Sequence, residues 1–192
     1  MCRVISRYRL EPALLKAACV FLLLPECLPA QSAITQTLQA TIVPLGGLFL
    51  QATPVVLTKP STNFNSFTGN VMLRYRARTS QGTGQGAITV QATADFTPAG
   101  GPSISVPPSA GDTFTYTCRG ATLGASCSGT QTVSTTAATN VVTLGASACT
   151  GGGAPCSTAN PNMANVTFTL SDDPKYKTGS YSATLTWTIS AS

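Results

Sequence analysis

The stretch that decides the fold is YSATLTWTI, at residues 181–189. Every second residue in it is apolar, and the residues between them are Ser or Thr. A strict period of two is the pattern of a β-strand that buries one face and exposes the other. The stretch therefore predicts a core strand, whose inward side chains are those of Tyr181, Ala183, Leu185, Trp187 and Ile189.

The same alternation recurs upstream, and no stretch has the i, i+3, i+4, i+7 spacing of an amphipathic helix. Residues 166–170 predict a strand that pairs with the last one. Residues 71–78 and 86–96 flank the glycine-rich run 81–86 and predict a hairpin with a flexible tip. Further strands are predicted at 34–43, 47–58, 113–118, 131–135 and 140–145.

This number of strands determines the expected architecture. Eight or nine strands predict two packed antiparallel sheets, because a single sheet of that size would leave one face uncovered. We therefore expect an all-β protein, a single antiparallel β-sandwich of Ig-like or pilin-like type. Residues 119–164 are rich in Gly, Ala, Ser and Thr, and we expect them to form a loop-rich, disulfide-stapled excursion from the sandwich.

The first thirty residues have the order of a secretory signal peptide. Basic residues as far as Lys16 precede the apolar stretch 17–24, and a small-residue segment follows around Ala30. That stretch is far shorter than the roughly twenty residues of a membrane-spanning helix, so we expect no membrane span once the signal is removed. The sequence predicts a signal peptide at 1–30, one domain at 31–192, and a secreted or extracytoplasmic protein at a bacterial surface or in a periplasm.

Four cysteines remain after the predicted cleavage site: Cys118, Cys127, Cys149 and Cys156. An even number in an exported chain indicates disulfides. Four cysteines allow three connectivities, among which we favour the two local pairs, because each closes a short loop of small residues. A zinc site would need tighter pairs of cysteines, and the chain has no histidine. We expect no metal site.

Composition argues against catalysis and against nucleic-acid binding. Without histidine, a Ser-His-Asp or Cys-His centre is impossible, and disulfide-bonded cysteines supply no thiolate. The only carboxylates beyond residue 30 are four aspartates; the neighbouring Asp172 and Asp173 point to opposite faces and make a poor acid/base pair. The net charge beyond residue 30 is about +3, too weak to favour nucleic acid. We expect neither an enzyme nor a cofactor.

One charged feature has a regular spacing. Arg74, Arg76 and Arg78 alternate with apolar residues, which places all three on the outer side of one strand, about 6.6–7 Å apart. Such a row could meet an anionic glycan, a wall polymer or a phospholipid surface. The simpler interpretation is a solvated face whose mutual repulsion prevents wrong strand pairing.

The stretch GSYSATLTWTI at residues 179–189 resembles the last strand of two families of exported bacterial β-sandwiches. One is the WxL-type surface domain, which ends in a Gly-x-Tyr strand leading to Trp-x-Leu. The other comprises the spore-coat-U and archaic chaperone–usher pilin-like subunits, which also close with a Gly-x-Tyr strand. The first resemblance implies binding to the cell wall, and the second implies assembly into a pilus or coat.

Two classes of function fit these observations. The first is an exported, non-catalytic structural or adhesive subunit, whose partners are copies of itself or other surface subunits. The alternative is a soluble module that binds a cell-wall polymer or glycan. Export, threonine-rich strands and the lack of catalytic side chains favour the first class.

Overall fold

The computed structural model describes residues 36–51, 53–61, 63–149, 156 and 161–192. The predicted signal peptide at 1–30 lies outside the described residues. The chain divides after Ala40. Of the first unit, residues 36–40 are described; they form neither helix nor strand, and their side chains are exposed. The second unit, Thr41–Ser192, is the sandwich.

The described residues form nine strands. Four long ones supply most of the two sheets: β2 (Phe67–Arg78), β3 (Gly86–Thr97), β8 (Asn162–Leu170) and β9 (Ser182–Ala191). The shorter ones are β1 (Leu45–Leu50), β4 (Phe114–Arg119), β5 (Ala125–Ser126), β6 (Thr130–Thr132) and β7 (Thr139–Leu144). Thr, Val and aromatic residues suit such pleated, half-buried surfaces.

The strands form two antiparallel sheets, which confirms the predicted all-β sandwich. One sheet has the order β1-β2-β8-β4-β6, and the other has the order β5-β7-β3-β9. Every pairing between these strands is antiparallel. In this part of the chain β9 is therefore an edge strand, with a neighbour on one side only.

The core lies between the sheets and follows the alternation of the strands. In β2 the inward residues Val71, Leu73, Tyr75 and Ala77 are buried, which confirms the strand phase read from the sequence. The facing sheet adds Ile88, Val90, Ala92, Val141, Val142 and Leu144. The Tyr116 hydroxyl donates to the Asn140 carbonyl oxygen at 2.8 Å, so that the polar end of this buried ring is satisfied.

The predicted hairpin of 71–78 with 86–96 is wrong. β2 pairs with β1 and β8, whereas β3 pairs with β7 and β9 in the other sheet. The segment between β2 and β3 crosses between the sheets and is tied down on the way, since the Thr79 hydroxyl donates to the Gly145 carbonyl oxygen at 2.8 Å. Alternation identifies the buried face of a strand but does not identify its partner.

The predicted pairing of 166–170 with the last strand is also wrong. β8 lies between β2 and β4, whereas β9 pairs with β3. The connection that contains Asp172 and Asp173 carries the chain from one sheet to the other. Two strands with the same pattern can thus face each other across the core instead of pairing.

Two predicted N-terminal strands differ from the observed ones. Of 34–43, residues 34 and 35 lie outside the described residues, and residues 36–43 form no strand. Of 47–58, only the first residues belong to β1; Thr58 makes an isolated bridge with Thr68. Alternation alone therefore does not make a strand where no neighbouring strand pairs with the segment.

The stretch 119–164 is loop-rich, but it contributes to the sandwich. It contains β5, β6, β7 and the start of β8, and its described residues include the buried apolar side chains of Val133, Val141, Val142, Leu144 and Ala164. Both local disulfides are confirmed, with Cys118 bonded to Cys127 and Cys149 bonded to Cys156. They join residues 9 and 7 positions apart.

Candidate functional site

An open apolar groove of about 940 Å³ runs along one side of the sandwich. One wall is β9 with the residues just before it, and the other is the segment 53–67, which we call the strap. The groove lies beyond Leu50, the last residue of β1, beside the first part of β9. Nearer the other end of β9 the two sheets close, because Gly46 lies against Ile189.

The floor of the groove is a cluster of aromatic rings. Phe114 stacks on Phe168 with ring centroids 5.3 Å apart, and Phe96 meets Phe114 edge-on at 5.5 Å. Phe114 and Phe168 are buried, whereas Phe96 is half-buried. Aromatic pairs in these geometries add stability beyond the burial of their area, so the floor is a rigid apolar surface.

The β9 wall carries the residues that the sequence marked as a core strand. Tyr181, Leu185 and Trp187 line the groove, and Trp187 meets Phe168 edge-on at 6.1 Å. All three, like Ile189, are half-buried. The predicted alternation is thus present, but none of these side chains is fully enclosed, because the neighbouring space is the open groove.

The strap wall is apolar and partly exposed. Val55 and Leu57 pack against the core, whereas Val56 and Phe64 are 69% and 64% exposed. Gly69 of β2 lies directly beneath the strap, and a side chain there would meet Leu57. The strap therefore rests on β2 without forming a continuous strand.

A few polar contacts hold the strap. The Thr58 and Thr68 backbones exchange hydrogen bonds of 2.8 and 2.7 Å. The Lys59 ammonium donates to Asp172 at 2.8 Å and lies 5.3 Å from the centroid of the Phe67 ring. A partly exposed ion pair of this kind contributes about 1 kcal/mol or less, so the strap is held mainly by its half-buried apolar side chains.

The polar end of the groove contains Asp173 and Tyr176. Asp173 is buried, and a hydrogen bond from Ser109 and one from the Lys175 backbone hold the pKa of its carboxyl below the ordinary value. The Tyr176 hydroxyl donates a hydrogen bond to the Asp112 carboxylate at 3.2 Å. Its pKa is raised mainly by burial and, to a smaller extent, by the negative charge of Asp112. This cluster fixes the loop before β9.

Asp95 fixes a second loop beside the groove, the one that carries Pro102. Its carboxylate accepts hydrogen bonds from the Ile104 backbone at 2.7 Å and from the Ser103 and Ser105 hydroxyls at 2.7 and 2.6 Å. Burial raises the pKa of Asp95, but these hydrogen bonds outweigh it and hold the pKa well below its usual range. The carboxylate acts here as a structural anchor.

Among the described side chains, no group of three His, Cys, Asp or Glu residues is placed to hold a metal ion. Burial raises the pKa of the Tyr75 and Tyr116 hydroxyls, and both hydroxyls are hydrogen-bonded in the core. The groove can therefore offer apolar contact and strand-edge hydrogen bonds.

The predicted arginine row lies elsewhere, on the outer face of the five-stranded sheet. Arg74 and Arg76 are exposed, and Arg78 is half-buried. Arg78 donates to the Val43 carbonyl oxygen through Nη2 at 2.5 Å and Nε at 3.1 Å. β2 is an interior strand of its sheet, so the row does not guard a sheet edge.

An exposed apolar segment precedes β1. All side chains of residues 36–43 are exposed, and Leu38 and Ile42 are 86% and 73% exposed. Sequence reasoning predicted a strand here but missed the groove, which is assembled from distant parts of the chain. One sequence signal could have indicated a binding role. Apolar and polar residues alternate just before Pro44, in a segment for which the sequence predicts no partner strand.

No protein-family model and no curated protein sequence matches the chain. The resemblance of residues 179–189 to WxL-type and pilin-like strands therefore remains a sequence-based interpretation. In the described part of the chain, no helix has the length and hydrophobicity needed to span a membrane.

Proposed function

We propose that this chain is an exported, non-catalytic structural subunit that assembles with copies of itself by strand addition. In this assembly, residues 36–43 of one copy occupy the groove of the next. The observation that carries the proposal is the open apolar groove beside the unpaired edge of β9. An edge strand presents unpaired backbone N–H and C=O groups, which another strand can satisfy.

The exposed segment has the pattern that such a groove requires. Leu38, Ala40 and Ile42 alternate with Gln39 and Thr41, so in an extended conformation the three apolar side chains point to one side. They would face the aromatic floor, while the polar residues would face solvent. Strand addition derives its affinity from main-chain hydrogen bonds and its specificity from alternate side chains.

The dimensions agree. From Ser182 to Trp187, β9 offers six residues along the groove, which span about 17 Å at the rise of an antiparallel strand. The apolar positions from Leu38 to Ile42 span about 14 Å on the same basis. One copy thus supplies a segment long enough to fill most of the groove of another.

Two exposed substitutions test this proposal. Leu38→Glu places a charge on the apolar face of the segment, and the matched control Gln39→Glu places the same charge on its polar face. We expect the wild-type mature chain and Gln39→Glu to form oligomers that grow with concentration, because neither carries a charge toward the floor. We expect Leu38→Glu to stay monomeric.

Size-exclusion chromatography with light scattering, together with negative-stain electron microscopy, measures the outcome. Equal assembly of both variants would contradict insertion of this segment. A wild-type chain that stays monomeric at all concentrations would contradict assembly itself. Thermal melting of both variants provides the folding control, since both positions are exposed.

The second candidate is a soluble module that binds a wall polymer or glycan. Trp187 and Tyr181 in the groove wall favour it, because aromatic rings present an apolar face beside a polar group. Ser180, Ser182 and Thr184 are also among the residues that line the groove. A monomeric wild-type chain whose binding to cell walls is lost in Tyr181→Ala would favour this candidate over assembly.

A further inference from the structure

The outer face of the five-stranded sheet brings a fourth arginine close to the predicted row. Arg119, at the end of β4, lies opposite Asn165 of β8, which in turn lies opposite Met72 of β2. Arg119 is therefore two strands away from β2 and level with Met72. Met72 lies two residues before Arg74 on the same outer face of the sheet. Strand spacing and rise put the Cα atoms of Arg119 and Arg74 roughly 12 Å apart.

We propose that this face, defined by Arg74, Arg76, Arg78 and Arg119, binds a linear anionic polysaccharide laid across the sheet. It is separate from the groove between the sheets, so this proposal does not depend on the assembly proposed above. Guanidinium groups suit such a ligand, because their planar donor forks hold carboxylate or sulfate oxygens in pairs.

The charges of the protein are separated in a way that favours an anionic partner. All four carboxylates beyond residue 30 lie at the opposite end of the sandwich: Asp95 near the end of β3, Asp112 before β4, and Asp172 and Asp173 after β8. Three lysines lie at that end with them. The arginine face is thus a region of positive potential, and charged surfaces of one sign attract and orient polyions.

Two of the arginines are available for a ligand. Within the described part of the chain, the guanidinium groups of Arg74 and Arg119 make no hydrogen bond or ion pair, and both side chains are exposed. Arg78 is already directed along the face by its hydrogen bonds to Val43. A ligand would therefore displace few existing contacts.

The neighbours of the arginines suit a sugar chain better than a flat lipid surface. Phe49 lies opposite Arg74 and is 56% exposed, so its ring is free to stack on a sugar. On the far side, Asn70 and Thr167 are joined by a hydrogen bond of 2.6 Å and present amide and hydroxyl groups. A narrow line of cations flanked by such polar groups matches an extended polymer.

Direct binding measurements test the proposal on the mature chain at concentrations too low for oligomers to form, with polygalacturonate as the probe and neutral dextran as its control. The test variant is Arg74→Gln with Arg119→Gln. The matched control is Lys175→Gln with Lys177→Gln, which removes the same charge at the opposite end. Both doubles change exposed side chains, and thermal melting checks their folding.

We expect wild type to bind polygalacturonate but not dextran, with an affinity that falls as salt rises. The arginine double should bind about two- to thirty-fold more weakly at low salt, and the lysine double should bind like wild type. If both double variants bound the polymer equally weakly, the loss of affinity would depend on net charge alone, and the proposal would be overturned. No binding of the polymer by wild type would also overturn it, as would retention on phosphatidylglycerol vesicles without binding to the polymer.

Discussion

Replacing Trp187 by alanine tests the packing of the groove wall most sharply. A fully buried Trp→Ala substitution costs about 3–5 kcal/mol, which includes the cavity left behind. Trp187 is mostly covered, with one side against Phe168 and a smaller part exposed toward the groove. About 140 of the roughly 200 Å² that a tryptophan can bury, at about 25 cal/mol per Å², gives about 3.5 kcal/mol. The groove is already open, so no closed cavity adds to this cost.

Urea denaturation followed by circular dichroism measures this loss. At a slope of about 2 kcal/mol per molar, the midpoint should fall by roughly 1.7 M. The control is Phe49→Ala, an aromatic residue of the edge strand β1 that is 56% exposed, whose stability should stay within about 0.5 kcal/mol of wild type. A loss below about 1 kcal/mol for Trp187→Ala would refute its packing against the floor. A loss above about 5 kcal/mol would mean that no open groove exists beside it.

Three further predictions concern stability, each read from chemical denaturation. The stability difference between wild type and Asp95→Asn should shrink as the pH falls below about 4, because a lowered folded pKa stabilises only above the unfolded pKa; a difference independent of pH would contradict this. Replacing Cys118 and Cys127 together by serine should cost about 2–3 kcal/mol for a loop of this length, and an unchanged midpoint would contradict it. Gly101→Ala should destabilise the protein, since the new methyl group would overlap the Tyr181 ring; wild-type stability would show that the ring moves freely.

The local features of the fold could be predicted from the sequence. The alternation of β2, with Leu73 and Tyr75 inward and Arg74 outward, follows from the period of two and holds in the structure. The two disulfides could also be predicted, because the bonded cysteines are only 9 and 7 positions apart and each pair closes a short loop. These features depend on neighbours in sequence.

The pairing of strands and the groove could not be predicted in the same way. β8 and β9 have the same alternation of apolar and polar residues. This alternation does not determine whether the two strands pair in one sheet or face each other across the core. The groove needs β1 to end at Leu50, the strap to cross β2, and Trp187 to lie above Phe168. Each condition depends on residues ten or more positions apart in the chain, so no local pattern encodes the site.

The fluorescence of Trp187, the sole tryptophan of the chain, tests the central claim most directly. The receptor is the Leu38→Glu chain, and the titrant is a peptide of residues 36–43. Insertion beside β9 would cover the exposed side of the indole, so we predict a saturable shift of its emission to shorter wavelength. The peptide with Gln39→Glu should act in the same way, and the peptide with Leu38→Glu should have no effect. No shift with the wild-type peptide, or an equal shift with all three, would contradict strand addition in this groove.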